Sequence, residues 1–222
     1  MPTSDASWSG RLRLIGDLER PDHHHLEAGD QCAFFGEYTP GEGWKHSSTN
    51  NLIRNLKKVP RTTRNTAQWP HKLAAIRDAA AAIRANLDPQ RMATTLLVPI
   101  PSSKTAAHPD YDPRMLHVAE SAGAPFCCAE LLRTVIDRAA LHGAAERRDP
   151  EALAATMACE AHLLAPGIER ILPIDDMITT GCSFRACRNI IADQWPSMPV
   201  FGLFISRRVL PNPFAAFTDL IS

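Results

Sequence analysis

Paired cysteines, long apolar runs and a net charge are all missing from this 222-residue sequence, and each absence argues against a class of function. The six cysteines, Cys32, Cys127, Cys128, Cys159, Cys182 and Cys187, contain no CxxC pair. That argues against a zinc knuckle of paired thiolates, and the thiols read as reduced, several of them buried. No apolar run approaches the ~20 residues that a membrane span needs, and residues 1–10 lack a charged region followed by an apolar one. A soluble, unexported, cytoplasmic protein with no membrane partner is expected. Lys and Arg total 24 against 24 Asp and Glu, a balance that favours neither a dedicated nucleic-acid binder nor a membrane-surface protein.

What remains is a chain 45% hydrophobic, long enough for one substantial core and an appendage. Residues 1–43 mix Pro, Gly, Asp and His, including the run His23, His24 and His25. They show no sustained period, and they read as an N-terminal extension with short structured pieces at Arg11 to Ile15 and Cys32 to Tyr38. The triple histidine reads as a polar loop without a role, because adjacent side chains point in different directions and rarely chelate together. From Trp44 to Arg77 there are eight Lys or Arg and no Asp or Glu, a basic helical segment (44–90) that faces an anion, nucleic acid included, or water. Within it, Thr49 to Lys58 suits a short helix with Leu52, Ile53 and Leu56 facing the core. Pro70 opens a second helix, in which Leu73, Ile76, Ala80, Ile83 and Leu87 recur at three- and four-residue steps.

Strands and helices alternate through residues 91–222. Strands are expected at Thr94 to Pro101, Phe126 to Val135, Arg170 to Ile174 and Met198 to Ser206. Helices are expected at Arg114 to Ser121, from Pro150 to about Leu164 with Asp149 as N-cap, and at Cys182 to Gln194. Such alternation implies an α/β fold, a mostly parallel sheet flanked by helices with ligands at the carboxyl ends of the strands.

The chemistry concentrates in 170–183, Arg-Ile-Leu-Pro-Ile-Asp-Asp-Met-Ile-Thr-Thr-Gly-Cys-Ser. An apolar strand meets the acids Asp175 and Asp176, then the small-residue turn Thr179, Thr180, Gly181, Cys182 and Ser183, then a helix. Successive backbone N–H groups, hydroxyls and the helix start can receive a phosphate. Gly181 lets backbone approach an anion closely. Two adjacent carboxylates need a hydroxyl-rich ligand, a cation or water to offset their repulsion. Cys182, at a helix start, is a place where thiol pKa values tend to fall.

This stretch resembles the signature of the type I phosphoribosyltransferase family, with Pro173 departing from it by removing a ladder N–H from a central strand. The resemblance implies a phosphoribosyltransferase-like core with an N-terminal hood or extension. It also implies phosphoribosyl pyrophosphate or a nucleoside monophosphate as ligand, and Mg2+ as cofactor. Asp175 and Asp176 would then bind the ribose 2′ and 3′ hydroxyls and hold the metal, directly or through ligand hydroxyls and water, and residues 179–183 would bind the 5′-phosphate. Upstream, Ser102, Ser103 and Lys104 after the strand Leu97-Val-Pro-Ile-Pro are similar to the pyrophosphate loop of the competence-associated ComF-type subgroup, with a Pro-Ser turn and a solvated lysine as the plainer reading. The segment 133–148, with Arg138, His142, Gly143, Arg147 and Arg148, occupies the place of the family's mobile catalytic loop, His142 and Arg147 being its catalytic candidates. Lys57 or Lys58 would reach the ligand phosphates from the hood, and Ser206, Arg207 and Arg208 would border the base. The expected activity is transfer of ribose 5-phosphate to a nitrogen base. A non-enzymatic sensor of the same ligand and a nucleic-acid-associated accessory subunit are the alternatives, and a homodimer is left open.

Overall fold

The computed structural model describes residues 8–138 and 149–210. Six strands form the main sheet: β1 (Arg13–Leu14), β2 (Cys32–Tyr38), β3 (Thr95–Pro99), β4 (Cys127–Cys128), β7 (Arg170–Ile178) and β8 (Gly202–Arg208), in the order β1-β2-β8-β7-β3-β4. All neighbours run parallel except β1 against β2. Two strands therefore come from residues 1–43, and β2 sits beside the last strand rather than outside the core. A separate antiparallel pair joins β5 (Leu132–Thr134) to β6 (Met157–Cys159).

Helices cover both faces. On one side α1 (Ser48–Leu56), α3 (Trp69–Asn86) and α5 (Arg114–Ala122) pack on Ala33, Phe35, Leu97, Ile174 and Ile205. On the other, α7 (Cys182–Gln194) and the β5–β6 pair pack on Phe34, Val98, Ile171 and Phe204. Alternate strand residues feed opposite layers, as the two-residue side-chain period requires. The remaining one-turn helices are α2 (Pro60–Thr63), α4 (Pro89–Met92) and α6 (Pro150–Ala154). The α/β class with a mostly parallel sheet is thus observed.

Three expected elements differ. The strand foreseen over 126–135 is two strands in two sheets, because after Cys128 the chain leaves β3 and its next residues pair with β6. The helix from Pro150 keeps its Asp149 cap, with Asp149 accepting from the Glu151 N–H, but ends at Ala154. There Thr156 turns its hydroxyl onto the Leu153 carbonyl and its own carbonyl receives the Val135 N–H; tertiary pairing overrides the helical preference of an Ala-rich run. Pro173 lies inside β7, flanked on both sides. Ile171 bridges Val200 and pairing resumes at Ile174 with Leu203. The proline has no N–H to donate between them, so β8 begins at Gly202 rather than Met198.

Candidate functional site

At the carboxyl ends of β3 and β7 lies a cleft of about 940 Å3, lined by Lys57, Ser102, Ser103, Lys104, Asp175, Asp176, Thr179 and Ser183 among others. These residues are far apart in sequence and meet because β3 and β7 are direct neighbours. Thr180, Gly181 and Cys182 form the back of the same turn. His142 and Arg147 lie outside the described residues.

Strand β7 runs through both acids, so Asp175 and Asp176 point to opposite faces of the sheet. Asp176 is buried and faces the α1 and α5 layer. Its carboxylate accepts from Arg114 Nε at 2.6 Å and pairs with Lys57 Nζ at 3.0 Å. Burial alone would raise this carboxyl, but Arg114 and Lys57 outweigh it and hold it below its ordinary value. Asp175 lies on the α7 side, where its charge helps burial raise the Cys187 thiol. Among the described residues it has no such ion pair; the Asp176 N–H donates to its Oδ1 at 2.7 Å, and Arg114 and Lys57 act on it only at longer range. Burial first, and the Asp176 carboxylate second, push it up to about 7. The acid pair is therefore divided: one carboxylate is paired with two cations, and the other has no ion pair among the described residues.

Arg114 was not foreseen, and it belongs to a larger network. Lys72, fully buried, donates to the Leu56 and Lys58 carbonyls at 2.6 and 2.8 Å and to Asp112 at 2.8 Å. Asp112 also pairs with Arg114 at 3.3 Å. Lys72 thus ties down the carboxyl end of α1, from which Lys57 reaches Asp176. A buried lysine inside an amphipathic helix, followed far along the chain by Asp-x-Arg, is the only trace of this in the sequence.

The 102–104 loop is held by side chains of residues 134–138. Arg138 Nη2 donates to the Pro101 carbonyl at 2.9 Å and to the Ser102 carbonyl, which also accepts from Thr134 Oγ1; Asp137 Oδ1 accepts from the Thr105 N–H at 2.6 Å. Arg138, itself among the residues lining the cleft, therefore holds this loop by its carbonyls, and the loop's own Ser102 Oγ accepts from the Lys104 N–H at 3.2 Å.

Three expectations need correction, and the glycine of the turn gains a second cause. The triple histidine is not an idle polar loop: His23 is wholly buried, and the Thr179 carbonyl accepts from its Nδ1. A Cβ on Gly181, whose φ is +86°, would meet Leu26 Cδ2 and Cγ at 3.1 Å, so the close approach of residues 23–26 by itself calls for a glycine here. Burial raises the Cys182 thiol rather than lowering it, with Asp149 adding to the effect. Ser206 and Arg207 do not border the cleft; Ser206 Oγ donates to the Asp176 carbonyl at 3.1 Å, and Arg207 is bound to Glu37 at 2.6 Å.

Among the described residues no group of three His, Cys, Asp or Glu is placed to hold a metal ion, and no helix is long and apolar enough to cross a membrane. The donor set does fit a magnesium ion delivered with a diphosphate. Such an ion takes one or two carboxylates and completes its shell with phosphate oxygens and water, and Asp175 is the carboxylate left for it. In the basic segment, Trp44 is 46% exposed, with the Lys45 ammonium 5.4 Å and the Arg54 guanidinium 5.9 Å from its ring centre. Searches against protein-family models and curated proteins find no match to this chain.

Proposed function

We propose that this chain binds phosphoribosyl pyrophosphate with magnesium and transfers its ribose 5-phosphate to a nitrogen base. The observation that carries the reading is the convergence on one cleft of the acid pair, Thr179 and Ser183 of the turn, the 102–104 loop and Lys57. In this assignment the turn takes the 5′-phosphate at the start of α7, and Ser102, Ser103 and Lys104 take the pyrophosphate. Asp175, which has no ion pair among the described residues, accepts the ribose hydroxyls and any magnesium. Magnesium would supply charge neutralisation at the departing pyrophosphate.

The division of the acids gives each a different task. Asp176 stays with Arg114 and fixes the floor of the cleft. Lys57, with 42% of its side chain exposed, is the cation able to leave Asp176 for a ligand phosphate. The bond from the anomeric carbon to pyrophosphate breaks as the bond to the base nitrogen forms, with oxocarbenium character between. Cations at Lys57 and Lys104 stabilise the charge that develops on the leaving group. His142 and Arg147 belong to this proposal as closing-loop residues on the family resemblance alone.

Titration calorimetry with phosphoribosyl pyrophosphate, with and without magnesium, followed by a pyrophosphate-release screen over free bases, tests the reading. Binding with release for some base supports an enzyme. Binding without release supports a non-enzymatic sensor, and no binding removes the assignment. A second reading, an accessory nucleic-acid binder, is favoured by Trp44 with its flanking cations, which together suit a base-stacking platform beside a phosphate backbone. Its affinity for a single-stranded oligonucleotide should fall steeply with salt, and absence of binding at low salt removes it.

A further inference from the structure

We propose that His23 and the His25 backbone are positioning elements for the 5′-phosphate, acting by orienting two consecutive peptides of the turn after β7. This rests on the reading of the cleft given above. The Thr179 carbonyl accepts from His23 Nδ1, and the Thr180 carbonyl accepts from the His25 N–H at 2.9 Å. Both peptide units are trans, since the cis bond among the described residues is Ala124-Pro125. A trans peptide carries its C=O and its N–H on opposite sides. Pinning the Thr179 and Thr180 oxygens to residues 23–25 therefore turns the Thr180 and Gly181 N–H groups away from that segment. Successive N–H groups aimed in one direction make an anion-binding concavity.

Three further observations fit a built support rather than a chance contact. His23 is wholly buried, and because a carbonyl has no proton to give, its Nδ1 must carry the hydrogen. Leu26 closes on Gly181 so tightly that a Cβ would reach 3.1 Å from its side chain. The segment is anchored to α7 on its far side, where Arg188 Nη1 meets Asp30 at 2.6 Å and Arg185 Nε donates to the His25 carbonyl at 3.2 Å. One end of the turn is thus covered by a strap from the other end of the chain, 156 residues away in sequence. On this geometry the pyrophosphate subsite at 102–104 owes nothing to His23.

That separation provides the test. Ribose 5-phosphate and magnesium pyrophosphate are each titrated into the full-length wild type, His23→Leu and His23→Asn. Leu and Asn have nearly the same shape, but only Asn places an N–H donor where Nδ1 stands. His23→Leu should weaken ribose 5-phosphate about tenfold, the size of one well-placed hydrogen bond, leave magnesium pyrophosphate unchanged, and be rescued by His23→Asn. In the wild type, the amide protons of Thr180 and Gly181 should move downfield in NMR spectra on addition of ribose 5-phosphate; this measurement does not depend on the variants folding. Unchanged ribose 5-phosphate affinity in His23→Leu, equal loss for both ligands, or amides that do not move would overturn the positioning role while leaving the cleft assignment standing. A wild type that binds neither ligand overturns both.

Discussion

Replacing Asp175 by asparagine should make the folded protein more stable at pH 8 while removing its ligand site. Burial and the Asp176 carboxylate raise the Asp175 carboxyl from its ordinary 3.8 to about 7. A group whose native pKa lies above its unfolded one holds its proton more tightly in the native state. Its contribution to stability is therefore complete below about pH 4 and is lost as the pH climbs through about 7. At pH 8 the native state carries a charge that it disfavours. The rise from 3.8 to about 7 is worth at most about 4 kcal/mol, at ~1.36 kcal/mol per tenfold change in proton affinity. The side chain opens partly on the cleft, so solvent recovers much of this. An asparagine oxygen also keeps the hydrogen bond from the Asp176 N–H. The expected gain is about 1–2 kcal/mol, or ~2–8 °C in Tm for a chain of this size. Calorimetric melting of both proteins at pH 8 and pH 5, without metal, measures it. The gain should shrink to less than half at pH 5, where the native carboxyl is protonated and the unfolded one is ionised, and vanish only below about pH 4. A variant no more stable than wild type at pH 8, or equally stabilised at pH 5, refutes the charge argument.

Asp176→Asn should act in the opposite sense, losing about 1–3 kcal/mol in urea unfolding because Arg114 and Lys57 would face each other without the carboxylate between them; an unchanged midpoint would mean that the pair contributes nothing. Lys72→Met should cost about 3–5 kcal/mol by leaving the carbonyls at the end of α1 unpaired and the buried Asp112 with Arg114 alone. Adding Asp112→Leu should recover part of that, and a double variant as unstable as the single one counts against the network. Gly181→Ala should lower stability by about 1–3 kcal/mol with no ligand present, through its positive φ and its contact with Leu26. Unchanged stability would mean that neither the positive φ nor the Leu26 contact constrains the turn.

Legibility in the sequence followed how local the determining interactions are. Helix α7 and the start of α5 were readable to the residue, because a Gly turn and an apolar period define the first and a Pro at 113 precedes the second. The convergence of the acid pair, the turn and the serine loop was readable as spacing, since adjacent parallel strands deliver their ends to one edge. Arg114 and His23 were not. Each acts on a partner reached only through the tertiary fold, 62 and 156 residues away, and neither sits in a period or a motif. The short edge elements β4, β5 and β6 failed for a related reason: a run of three residues carries no period, and its partner alone fixes its conformation.

The placement of β2 beside β8 has a consequence for how the chain becomes a protein. Glu37 and Arg207 meet across that seam, 170 residues apart, and the strap at His23 needs the turn at Thr179. A growing chain can assemble α3, β3 and α5 early, but β2 must wait for β8, with the ladder groups on that edge and Phe34 and Phe35 unprotected meanwhile. Non-local closure of this kind slows folding and exposes apolar edges to other chains. Refolding from denaturant should therefore be slow and sensitive to protein concentration, with the cleft among the last features to form.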